Sequence, residues 1–89
     1  MAENYEIKRN NLNGGLSCKF HHNGKEYFAD LAFVLDRLCE ECMIFEIIDG
    51  KINWGDELYV KWHIPLTEDA LVECIEDFKK GESVYCVNR

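Results

Sequence analysis

Two dipeptides constrain this chain more than anything else in it: Asn23-Gly24 in "HHNGKE" and Asp49-Gly50 in "FEIIDGKINW", each set between runs of strand-forming residues. A two-residue hairpin turn of this type needs positive φ at both central positions, which Asn, Asp and Gly tolerate and branched residues resist. Two β-hairpins are therefore expected. In the first, His21 falls opposite Glu26 as an exposed cross-strand charge pair. In the second, the turn pairs Ile47 with Ile52 and Phe45 with Trp54 on a buried face, leaving Glu46, Asn53, Ile48 and Lys51 on the other. The next run, "ELYVKWHI", alternates Leu58, Val60, Trp62 and Ile64 against Tyr59, Lys61 and His63. Matching its apolar face to the hairpin sets Trp54 opposite Leu58 and Ile52 opposite Val60 across a loop at Gly55, Asp56 and Glu57, giving a three-stranded meander.

Two helices complete the pattern. "DLAFVLDRLCEECM", residues 30–43, brings Leu31, Val34, Leu35, Leu38 and Cys42 within about 100° of one another at the 3.6-residue period, with Asp30 as N-cap. "PLTEDALVECIEDFKKG" is better marked. Thr67 caps it, Glu68 and Asp69 suit the positive end of the dipole, Lys79 and Lys80 suit the negative end, and Gly81 stops it. Leu71, Cys74, Ile75 and Phe78 form its core stripe. "NYEIKR" adds an edge strand at the start and "SVYCVNR" a strand at the end, while "RNNLNGG" is a turn without the Lys-Ser/Thr of a nucleotide loop. The order β-β-β-α-β-β-β-α-β contains a β-α-β-β-α-β kernel. It implies an α+β fold, a mostly antiparallel sheet of four to seven strands with two helices packed on one face in a ferredoxin-like arrangement. Residues 1–89 suit one small acidic domain, because a chain this short cannot bury two cores.

The five cysteines are an odd number in a chain whose start, "MAENYEIKRNNLN", lacks the apolar stretch of a signal peptide, so reduced thiols and a cytoplasmic location are expected. No run approaches the roughly 18 to 20 apolar residues that cross a membrane. Cys39 and Cys42 have CxxC spacing, but on the helical reading they lie at the C-terminal end beside Glu40 and Glu41, where thiolate is disfavoured. Two thiolates at that spacing can share a metal ion. His21 and His22 point to opposite faces of a strand, so at most one of them joins, and Cys18 lies roughly 13 Å from His22. The cysteines therefore read as small buried apolar residues. The alternative is a small metal-binding or enzymatic α+β domain using Cys39, Cys42 and a histidine. No nucleophile elbow, His-x-x-x-His helix or nucleotide loop is present, so neither an enzyme nor a cofactor is implied.

Charge is the stronger functional cue. Seventeen acids against ten bases give net −7, with 7 acids and 5 bases in residues 1–45 and 10 acids and 5 bases in residues 46–89. Phosphate binding needs clustered Lys and Arg, so direct nucleic-acid binding is disfavoured and a basic protein surface is the better electrostatic match. On the second helix Asp69, Glu73, Glu76 and Asp77 fall on the side away from the core stripe. Such a ridge is either a solvated face that confers solubility or an array of negative charge that docks on a basic, nucleic-acid-binding protein. Phe33 projects away from the first helix's apolar centre, near Arg37 and Glu40. It is either covered by the N-terminal segment or an exposed anchor for a partner. In size and acidity the chain is similar to the small inhibitors that phages use against bacterial nucleases, including anti-CRISPR proteins. That resemblance is one of character and rests on no motif. It implies a protein-binding inhibitor or adaptor, a nucleic-acid mimic acting as monomer or small homo-oligomer.

Overall fold

The computed structural model of the chain describes residues 5–10 and 14–81. These form β1 (Ile7–Arg9), β2 (Leu16–His22), β3 (Lys25–Val34), β4 (Cys39–Ile48), β5 (Lys51–Ile52), β6 (Tyr59–Trp62) and α1 (Glu68–Lys79). The fold is α+β: a curled antiparallel sheet of order β1-β2-β3-β4-β5, with β6 also on β4, and the C-terminal helix on one face.

Both turn dipeptides behave as their chemistry requires. Asn23 and Gly24 have φ of 53° and 79°, Asp49 and Gly50 of 53° and 78°, all in the left-handed region. The registers follow, with His21 opposite Glu26 and Ile47 opposite Ile52. The N-terminal edge strand also forms, Ile7 lying opposite Cys18.

Alternation along the long strands divides the sheet into two faces. Leu16, Cys18 and Phe20 on β2, Tyr27, Ala29 and Leu31 on β3, Cys42 and Ile44 on β4 and Tyr59 on β6 share the face that meets Ala70, Leu71, Cys74 and Ile75 of α1. This is the core. The helix is built as its sequence predicts. Thr67 is extended at φ −129°, its Oγ1 accepts from Ala70 N at 3.1 Å, and Gly81, at φ 81°, donates its N–H to the Phe78 carbonyl at 3.0 Å. Phe78 inserts its ring among Tyr27, Phe20 and Tyr59, with centroids 4.9, 6.0 and 6.4 Å away.

The helix expected over residues 30–43 does not exist. Residues 25–34 and 39–48 are instead two ten-residue strands paired from Glu26↔Ile47 to Val34↔Cys39. Asp30 is mid-strand rather than an N-cap, and with a single helix among the described residues the ferredoxin-like kernel falls away. The reason lies in β4, "CEECMIFEII", which is buried on both faces. A strand of that kind reads as a continuous apolar run and loses the alternation that distinguishes it from a helix.

The meander expectation is also corrected. β6 does not pair with β5; both pair with the same edge of β4, Ile52 lying opposite Ile47 and Tyr59 opposite Ile44. Three steps along β4 are matched by seven on the other side, so four residues are looped out and Trp54 sits in that bulge rather than in the ladder. Its ring still reaches Phe45, with centroids 5.0 Å apart. Tyr59, assigned by alternation to a polar face, is 1% exposed, because α1 covers that side as well. The expected closing strand "SVYCVNR" lies outside the described residues.

Candidate functional site

The β3–β4 hairpin ends in a four-residue loop, Leu35 to Leu38, closed by Arg37 N–H to the Val34 carbonyl at 3.2 Å and Leu38 N–H to the Leu35 carbonyl at 3.3 Å. Reversing the chain in so few residues requires one left-handed residue, and that residue is Leu38 at φ 54°. A branched side chain there costs about 1 to 2 kcal/mol, which Gly would avoid. The same leucine is 75% exposed, Leu35 is 77% exposed and Phe33, one strand residue before Val34, is 40% exposed. Three large apolar side chains thus crown one hairpin, with Asp36 in the loop and Glu40 directly opposite Phe33. Phe33 was singled out from the sequence. Leu35 and Leu38 were not, because the helical reading placed them in its buried stripe.

The crown stands on a rigid base. Glu41 is 2% exposed and its Oε2 accepts from Arg37 Nη1 at 2.5 Å and from Trp62 Nε1 at 2.7 Å. The Arg37 guanidinium also lies over the Trp62 ring, 5.3 Å from its centroid. A buried carboxylate is tolerable only when paired and hydrogen-bonded. Here that requirement ties the loop, through Arg37, to strands β4 and β6.

Of the four helix carboxylates expected to form the acidic ridge, Asp69 and Glu73 are exposed, whereas Glu76 and Asp77 are half-buried. Glu76 accepts from the Tyr5 hydroxyl at 2.6 Å, and that hydroxyl accepts from Lys79 Nζ at 2.7 Å, so Glu76 fastens the N-terminal segment to the helix. Asp69 and Glu73 instead line an open groove of about 570 Å³ whose apolar wall includes Ile64, Pro65 and Val72, with Lys61 at its edge.

The cysteine motif dissolves once residues 39–48 are a strand. Cys39 pairs with Val34 on one face and Cys42 with Leu31 on the other, so the two thiols point apart. Both are buried and free. Cys42 meets Cys74 of α1 instead. Its hydrogen bond to Cys74, with burial added, pushes the Cys42 thiol well above its ordinary value. Cys74 is held lower by that bond and by one from Tyr59. Burial, followed by Cys74, raises the Tyr59 phenol. These contacts join helix to sheet. Among the described residues no three His, Cys, Asp or Glu side chains converge as they would around a metal ion, and no helix is long and apolar enough to cross a membrane. His63 is exposed, with its N–H donated to the Glu40 carbonyl at 2.7 Å. Comparison of the chain with protein-family models, with curated proteins and with solved structures gives no match.

Proposed function

We propose that this protein acts by binding, as an inhibitor or adaptor that seats the β3–β4 hairpin tip in an apolar recess of a basic, nucleic-acid-binding protein. The observation that carries the reading is Leu38. It is held at φ 54° and left 75% exposed, so it is unfavourable on both counts for the isolated fold. Backbone strain of this kind clusters where a protein meets something else. Docking supplies what the free protein lacks: burial of Leu35 and Leu38 is worth up to roughly 1.5 to 3 kcal/mol each before the cost of association, and Phe33, already more than half buried, adds less. The Arg37–Glu41–Trp62 clamp limits that cost by fixing the loop in advance. The partner's sign follows from the rim of Asp36 and Glu40, from the exposed Asp69 and Glu73, and from net −7. The resemblance in size and acidity to phage inhibitors of nucleases fits the same reading and names no target.

The test begins with proteins captured from the organism that carries the chain and continues with the purified partner. Leu38→Gly relieves the strain and adds about 0.5 to 1 kcal/mol of chain entropy cost, so stability should hold or rise by about 1 kcal/mol. Affinity should fall roughly tenfold or more for Leu38→Gly and again for Leu35→Ser, mainly through faster dissociation. Undiminished affinity in the folded double variant would remove the tip from the interface.

A further inference from the structure

On the sheet face away from α1, a cavity of about 230 Å³ is lined by Asp30, Phe28, Trp54, Ser17 and Ala32, and at its other end by Asn10, Gly15 and Leu16. Its position follows from the fold. Phe28 and Asp30 are alternate residues of β3, Ser17 lies opposite Asp30 on β2, and Trp54 is carried over them by the four-residue bulge between β5 and β6. The Trp54 ring stands edge-on to Phe28 and Phe45, with centroids 5.8 and 5.0 Å away and planes at 78° and 66°. Two aromatic rings and a carboxylate therefore converge on one space. Among the described residues, no hydrogen bond or ion pair engages the Asp30 carboxylate. Burial raises its pKa, and the charge of Glu41 raises it further. A partly buried carboxylate that no cation engages, beside two aromatic rings, has the composition of a site for an organic cation, which gains from the charge and from contact with the rings together.

We propose that this cavity binds the protonated end of an alkylamine. The ammonium hydrogen-bonds to Asp30 and the Ser17 hydroxyl, and its α-CH2, which carries part of the positive charge, rests against Phe28 and Trp54 with the alkyl chain beyond it. This assignment is independent of the hairpin-tip reading, since the cavity and the tip share no residue. The same chemistry is offered by a free small amine and by a lysine side chain of a protein partner. The test uses one probe for each source.

The full chain, labelled with nitrogen-15, is titrated at constant ionic strength with n-butylammonium chloride, with its neutral analogue n-butanol, and with a blocked lysine, Nα-acetyl-lysine-N-methylamide. The Trp54 indole N–H and the Asp30 and Ser17 amides report. Saturable shifts at these positions with either ammonium probe, at least tenfold tighter than with n-butanol, are expected, and the tighter of the two names the source. Asp30→Asn, close to isosteric, should weaken ammonium binding at least tenfold with amide spectra otherwise native. Trp54→Phe should weaken it several-fold, because the indole is the stronger cation acceptor. Equal affinity for n-butanol, unchanged affinity in Asp30→Asn, shifts confined to Asp69 and Glu73, or no saturation by either ammonium probe would each overturn the assignment.

Discussion

At the scale of single residues, the sheet face away from the helix is decided by two carboxylates with opposite fates. Glu41 is buried with two donors, whereas Asp30 borders a cavity and feels Glu41 as a like charge on the same face. Lys8 and Lys19 share that face on β1 and β2 but make no ion pair with Asp30. Because the folded-state pKa of Asp30 is raised, the folded protein holds its proton more tightly than the unfolded chain does. Its contribution to stability is therefore complete below the ordinary value of 3.8 and is lost as pH rises through the raised value. Asp30→Asn should match the parent near pH 3 and become the more stable of the two as pH rises towards 7. Urea unfolding of both proteins across that range isolates this group from the other acids, and a variant less stable than the parent at pH 7 would contradict it. Nothing in the sequence marked Asp30 for this role, because an aspartate ahead of an apolar run is also what a helix N-cap looks like.

At the scale of elements, the turns, the capped helix and the edge strand were legible, because each is written in local chemistry: positive-φ dipeptides, a threonine with acids behind it, a glycine stop. The β3–β4 hairpin was not. Its loop, Leu35-Asp36-Arg37-Leu38, contains no Gly, Asn or Pro, and the residue that takes positive φ is a leucine. One signal was available. A two-residue turn at Asn23-Gly24 that pairs His22 with Lys25 carries the ladder back to Leu16 only if the following strand reaches Leu31, which a helix starting at Asp30 forbids. The same misreading hid Leu35 and Leu38, since a helix buries what a hairpin tip exposes. The clamp beneath the tip can be tested by Glu41→Gln. Breaking a buried pair costs about 3 to 5 kcal/mol, and here the exposure of Arg37 reduces that to about 1 to 3 kcal/mol. The Arg37 and Leu38 amides should lose hydrogen-exchange protection more than those of α1 do. Ile75→Ala, which empties a fully buried site under the helix, should instead cost about 2 to 5 kcal/mol and lower protection throughout. Uniform loss of protection in Glu41→Gln would show that the clamp serves the whole sheet rather than the loop.

At the scale of the whole molecule, the exposed leucines and most of the net charge lie in different parts of the chain. The tip holds the exposed leucines, while the net charge of −7 resides mostly in residues 46–89. If binding is the function, the two features should control different rates. A field extending about 8 Å at physiological ionic strength acts on approach and fades once the surfaces meet, whereas buried leucines act only after contact. Asp69 and Glu73 are the carboxylates to reverse, since both are exposed, whereas Glu76 holds Tyr5 and its reversal would disturb the fold. Asp69→Lys with Glu73→Lys changes the charge by two at each position and takes the net from −7 to −3. With the purified partner, association of this variant should be about tenfold slower than the parent at low salt. The two should converge as ionic strength rises past about 0.15 M, with dissociation unchanged throughout. Leu35→Ser should do the reverse, leaving association and its salt slope intact and speeding dissociation. Stopped-flow or surface-binding kinetics over a salt series separates the two. An association rate insensitive both to salt and to the double reversal would leave the acidic helix edge as a solubilising face and confine recognition to the hairpin tip.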